Sequence, residues 1–427
     1  MWERKYMNKK LWQKETTKLN EFIEAFETKG DLELDLKLVE FDVKGSLAHA
    51  KMLFKLGVLD NKELEEIIKG LSEILKLNQK GKFNLEFGDE DIHTKIENFL
   101  TSKYGEVGKK IHTYRSRNDQ VLTALRLYSK AQIEEIEKEV QELIKWFKTF
   151  QKEYGVLPIP GYTHMQKAMP STISLWAGAF DASLKDDLMV LEAALKLNDQ
   201  SPLGSAAGYG LPVKIDREYT AKLLGFSGVQ EPVTYPQNSR GKIEAVTLAS
   251  LVSILQTINK FASDILLFTS SEFNFFKASD EVTTGSSIMP QKKNIDLAEL
   301  LRSKVHLVLG NYTQIVSLSS NLISGYNRDL QDSKKPLMES FEITLDSLKV
   351  SQILVQNIQP NEEVLKQAMT EDLYQTQKAY KLVEKGVSFR DAYSQVKDVI
   401  LNESTDSSAA LQNDKFMKGG DLDENKN

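Results

Sequence analysis

The stretch Gly285–Asn294 (GSSIMPQKKN) concentrates groups that bind and stabilise negative charge. Gly285 permits backbone conformations closed to other residues. Ser286 and Ser287 bring hydroxyls and N–H groups, Pro290 stiffens the segment, and Lys292 and Lys293 add positive charge. Asn294 precedes an apolar-periodic run, so it is expected to cap a helix N-terminus. Donors gathered at such a terminus favour an anion, and a carboxylate substrate is the natural guest. The same residues also read as a surface loop with two solvated lysines.

Other chemistry-bearing residues are spread along the chain. Arg117 and Asn118 sit in a charged string, Arg115–Asp119 (RSRND), and arginine suits bidentate carboxylate binding. His164 lies in a Gly- and Pro-rich stretch, Leu157–Pro170. The five histidines lack metal-ligand spacing, so no metal is expected. His49 and His306 fall on apolar-periodic helices and read as structural. There is no cysteine, which excludes disulfides, thiolate metal sites and cysteine nucleophiles and fits a reducing, cytoplasmic setting.

The elements that must position these groups read as helices. Apolar residues recur at three- and four-residue spacing over 121–150, 243–267, 295–322 and 336–355. Segments of that length point to a bundle of long helices. Pro and Gly gather at 157–170, 201–212 and 283–294, which read as loops between helices, where chemistry is often placed. The chain has 427 residues, 41% hydrophobic and 27% charged, with net charge −6. That suits a soluble globular protein of two or three domains and gives no basic footprint for nucleic acid. The N-terminus is charged and lacks an apolar signal core, and no apolar run approaches a membrane span. Either Met1 or Met7 serves as a start on this evidence. The segment after Asn402 is polar and acidic and reads as a disordered tail.

Gly285–Asn294 resembles the signature loop of the fumarase/aspartase superfamily, GSSxMPxKxN, at Gly285, Ser286, Ser287, Met289, Pro290, Lys292 and Asn294. The Gln291–Asn294 form is similar to that of argininosuccinate lyases, where fumarases and aspartases usually carry Gly-Lys-Val-Asn. Further strings agree: His112–Val121 (HTYRSRNDQV) resembles HTGRSRNDQV, and Glu90–Glu97 (EDIHTKIE), Gly161–Gln166 (GYTHMQ), Tyr326–Gln331 (YNRDLQ) and Phe41–Leu53 (FDVKGSLAHAKML) match as well. The likeness runs from about residue 10 to about 400.

The resemblance implies an all-α fold: a long central helix bundle, 113–360, flanked by helical domains at 1–112 and 361–402, with a polar tail at 403–427. It implies cofactor-free β-elimination that releases fumarate and arginine from argininosuccinate, in a homotetramer whose active sites are shared between subunits. Ser286 is implied as the base, activated by Lys292. His164, paired with Glu299, is implied to protonate the leaving nitrogen or relay a proton. Substrate contacts are implied for His93, Ser116, Arg117, Asn118, Thr163 and Asn294, and for Tyr326, Gln331 and Lys334 at the arginine end.

Three departures stand out. Tyr114 replaces a glycine, with crowding or a changed turn as the expected result. Asp332–Ser333 replaces Glu-Asp, and LWQK at Leu11–Lys14 replaces LWGGRF. Two other functions compete. One is a related lyase such as adenylosuccinate lyase, disfavoured by the Gln-Lys-Lys-Asn loop. The other is a non-catalytic crystallin-like homologue, disfavoured by retention of Ser286, Lys292, Asn294 and His164.

Overall fold

The computed structural model describes residues 21–28, 30–85 and 89–399. The expected tail, the LWQK segment and both candidate starts lie outside them. The chain is all-α, with short strands only, and divides into two compact units.

The larger unit comprises the chain through Trp146, Phe180–Leu266 and Ser279–Asn357. It opens with α1 (Glu21–Thr28) and α2 (Leu32–Leu36), followed by α3 (Val39–Lys55), α4 (Asn61–Gln79) and α5 (Ile92–Tyr104). The last three close around Val43, Met52, Ile67, Leu71, Ile96 and Leu100, all at most 2% exposed. Asp60 starts α4 with a capping box to Glu63, and Asp91 starts α5 by accepting from the Thr94 amide at 2.8 Å. A short helix, α6 (Glu106–Lys109), leads to α7 (Arg117–Tyr154), and α8 (Ile173–Asn198) follows. Then come α9 (Arg217–Leu224), α10 (Tyr235–Asn238), α11 (Lys242–Phe268), α12 (Asp296–Leu318) and α13 (Lys334–Gln356).

Periodicity placed α7, α11, α12 and α13 to within a few residues at most ends. Their stripes are buried: Leu122, Ile133, Ile136 and Val140 on α7, Leu251, Ile254, Leu255 and Ile258 on α11, Phe341 and Leu348 on α13. By length and composition α11 is apolar enough to cross a membrane, yet half of its most apolar stretch is buried within the protein. Helix α8 gives no clear stripe in the sequence. It carries apolar residues on its outer side too, with Met189 70% and Val190 43% exposed, so no single face stands out.

The smaller unit comprises Phe147–Ala179, Leu267–Ala278 and the chain from Ile358. It holds an antiparallel hairpin of Pro158–Thr163 with Gln166–Thr172, and a second strand pair, Phe276–Ala278 with Ile358–Pro360. Helices α14 (Glu362–Ala368) and α15 (Gln375–Glu384) follow, and residues 389–399 are also helical. Phe150, Trp176, Phe268 and Phe276 stack against one another in its core, with Trp176 and Phe276 centroids 5.1 Å apart.

Two segments read as loops are hairpins instead. In the first, Thr163 pairs with Gln166, so His164 and Met165 alone form the turn. Both have positive φ, 52° and 62°, the backbone of a type I′ turn. Such turns usually carry Asn-Gly, which is why this one left no sequence signal. In the second, Thr284–Gly285 pairs with Lys293–Asn294, and residues 286–292 form the tip.

Candidate active site

The N-terminal end of α7 is the best-built part of the site. Ser116 caps it: its hydroxyl accepts from the Asn118 amide at 3.3 Å, and Asp119 accepts from the Ser116 amide at 3.1 Å. The second Asp119 oxygen accepts from the Gly204 and Ala206 amides, both at 2.9 Å. Burial raises the Asp119 carboxyl to about 6, against these amides, which hold it down. This carboxylate ties the segment 201–212 to the helix that carries Arg117 and Asn118.

Arg117, Asn118, Tyr326, Gln331 and Lys334 line one cavity together. Arg240 joins them and lies over the Tyr326 ring, 5.5 Å from its centroid. The cavity also receives acidic groups that the sequence did not single out. Arg117 pairs with Glu90 and, at 3.3 Å, with Asp91. Lys334 is 7% exposed and pairs with Asp35 at 2.5 Å and Asp31 at 3.1 Å. Burial lowers the Lys334 pKa, but these two carboxylates outweigh it and the net shift is upward. Gln331 donates to the Glu27 carbonyl at 2.8 Å. With Arg117 and Lys334 paired internally, the enclosed part of the cavity is about 50 Å³.

A second cavity of about 250 Å³ shares Arg117 and Glu90 with the first. His93 and Ser116 line it. The buried His93 imidazole pairs through Nδ1 with Asp42. Burial works against the charged forms, yet the pairing raises His93 and lowers Asp42. His49, by contrast, is neutral. Burial takes it to about 3, and its Nε2 bonds the Thr113 carbonyl at 2.8 Å, a structural role as expected.

That bond steadies the turn at Tyr114. Tyr114 has a left-handed backbone, φ 59°, a conformation that glycine adopts more readily. Its ring packs on the core of α3–α5. Ser333, the other departure, is buried and bonds the Leu330 carbonyl at 2.7 Å.

The signature hairpin is built differently from the expectation. Asn294 is not the helix cap: it lies in a strand, and Ile295 occupies the cap position of α12 without a side-chain bond. The hairpin register with Thr284 claims Asn294 before the helix begins. Ser286 sits half-buried at the tip, and its Oγ accepts from the Ile288 amide at 3.3 Å and the Met289 amide at 3.1 Å. Lys293 pairs with Asp280, whereas Lys292 is exposed and makes no ion pair among the described residues. Glu299 is exposed on the first turn of α12. Ser286, Lys292, Asn294 and Glu299 line neither cavity. Thr163 and His164 are exposed at the hairpin turn of the smaller unit.

Residues 13–310 match the family described as lyase. An argininosuccinate lyase from Thermotoga neapolitana is 47% identical, over 91% of this chain and 98% of that protein. One from Phocaeicola vulgatus is 43% identical, over 91% of this chain and 87% of that protein. Among solved structures, an EDDS lyase variant with bound fumarate superposes with a TM-score of 0.77 at 22% identity, over 92% of this chain and 78% of that one. A fumarate lyase:delta crystallin from Brucella melitensis gives 0.74 at 19%, over 86% and 85%. The two structures speak for the helical fold, and the sequence identities for the kinship: the chain belongs to the lyase family, among its argininosuccinate lyases.

Proposed function

We propose that the protein cleaves argininosuccinate to arginine and fumarate, the reaction that closes arginine biosynthesis. The observation that carries this reading is 47% identity to an argininosuccinate lyase over nearly the full length of both chains. The cavity chemistry supports it. Argininosuccinate carries carboxylates, an amine and a guanidinium, and the cavity offers Arg117, Arg240 and Lys334 beside Glu27, Asp31 and Asp91. Substrate groups of either sign find a partner by exchanging with an internal pair.

The hard step is removal of a proton next to a carboxylate, which leaves a carbanion-like intermediate with charge spread into that carboxylate. Ser286 is the base in this reading. A serine hydroxyl is too weak an acid to serve unaided, and two amides on Oγ, with Lys292 nearby in sequence, favour its alkoxide. Asn294 and the loop amides then shelter the intermediate. His164, with Glu299 as its partner, protonates the leaving nitrogen, and Thr163 contacts substrate. The strain of a two-residue turn without glycine fits a functional position for His164.

The site is completed by self-association. Ser286 lines neither cavity of its own larger unit. Helix α12 exposes Leu300, Leu307 and Leu309 at 59, 51 and 44%, apolar surface that further copies of the chain would cover. Light scattering is expected to give four times the chain mass at micromolar concentration, and a monomeric mass would remove the shared site. Fumarate release, followed by its ultraviolet absorbance, is expected with argininosuccinate and not with adenylosuccinate. The reverse preference, or release from neither by the folded protein, would overturn the reading.

A further inference from the structure

Asp42 has no role in the chemistry above, yet both of its oxygens are engaged by buried partners. It lies on α3 and is 1% exposed. Its Oδ1 accepts from Gln120 Nε2 at 3.2 Å and from Ser46 Oγ at 3.3 Å. Its Oδ2 accepts from Gln120 Nε2 at 3.1 Å and pairs with His93 Nδ1. Ser46 in turn accepts from Arg115 Nη1 at 2.9 Å. The carboxylate is thus held by its own helix, by Gln120 of α7 and by the chain just before α7. A buried carboxylate fixed on all sides imposes its geometry on the one partner that can rotate, the imidazole.

With Nδ1 engaged, Nε2 is the only polar atom His93 has left, and His93 lines the cavity of about 250 Å³ beside Ser116 and Arg117. We propose that Asp42 is a positioning residue: it locks the His93 ring so that Nε2 is presented to a substrate polar group in this cavity. The proposal rests on the argininosuccinate reading of the site. Asp42 itself does not touch substrate. Its neighbour Ser46, one turn along α3, and Gln120 complete the clamp, and both can re-form hydrogen bonds to an amide in its place.

The test is a double-mutant cycle on purified enzyme with Asp42→Asn, His93→Asn and the double variant, with thermal unfolding recorded for each. Should His93→Asn not fold, His93→Gln replaces it. Asp42→Asn is expected to lower kcat/KM about tenfold, the scale on which outer-shell partners of functional histidines act, chiefly by raising KM. In the His93→Asn background the same change is expected to cost less than about twofold, because its route to substrate is already gone. A purely structural Asp42 would lose the same factor in both backgrounds, and that additivity, or an unchanged kcat/KM in the single variant, overturns the positioning role alone. Absence of fumarate release by the unaltered protein would instead overturn the functional reading and this proposal with it.

Discussion

Ser286→Ala is expected to abolish turnover, lowering kcat by about 10²–10⁴-fold, while argininosuccinate still binds. The structure supplies the reason for the size of the effect. Two backbone amides, of Ile288 and Met289, point at Oγ, so the tip of the hairpin is organised around negative charge on that atom. Alanine leaves those donors with nothing to stabilise and no side-chain atom to take the proton. Binding survives because Arg117, Arg240, Tyr326, Gln331 and Lys334 line a cavity that Ser286 does not touch within its own chain. Steady-state kcat and calorimetric binding of substrate check the two halves separately. A kcat near that of the unaltered enzyme would remove Ser286 as the base.

Lys334→Met is the change with the largest expected effect on stability, a loss of about 3–5 kcal/mol at neutral pH. The lysine is 7% exposed, and its partners Asp35 and Asp31 are 2% and 17% exposed. Asp35 also accepts from the Ile92 amide at 3.1 Å, so one carboxylate joins the start of α5 to the start of α13. Methionine fills much of the lysine volume but leaves two acids side by side without a cation. The pH dependence has a definite sign. Lys334 has a raised pKa in the fold, so its contribution is fully present below its unfolded value of 10.5 and is lost only as pH rises through the higher folded value. In the variant, Asp31 loses the cation that lowers it, while burial and the neighbouring Asp35 still raise it. Its penalty is therefore greatest at neutral pH and fades as pH falls toward its unfolded value of 3.8. Urea midpoints for both proteins at neutral and mildly acidic pH will show a gap that narrows on acidification. Equal midpoints at neutral pH would mean that the three groups are not coupled. Activity should fall as well, since Lys334 lines the cavity.

The resemblance-bearing strings named residues that line the cavity, but not the company they keep. Arg117 is expected to hold carboxylates and Lys334 the arginine end, and in the folded chain each is already paired with acids. Asp35 and Lys334 lie 299 residues apart, and Asp42 and His93 51 apart, so no local spacing announces either pair. The hairpins at 158–172 and 284–294 escaped for another reason. A strand pair is specified by register between two short segments, and neither turn carries Asn-Gly or Asp-Gly to mark it. Helix α8 escaped because its apolar residues face both inward and outward.

By itself, the sequence determined the helical class, four of the long helices and the residue types available for chemistry. Those depend on local periodicity and on residue type, which a linear string records. Only the tertiary structure decided which cations are already neutralised, that Asn294 belongs to a strand, and that Asp42 stands behind His93. Each of these arises when chain segments far apart in sequence are buried together, where an unpaired charge or N–H is too costly to leave and the nearest partner in space, not in sequence, must satisfy it.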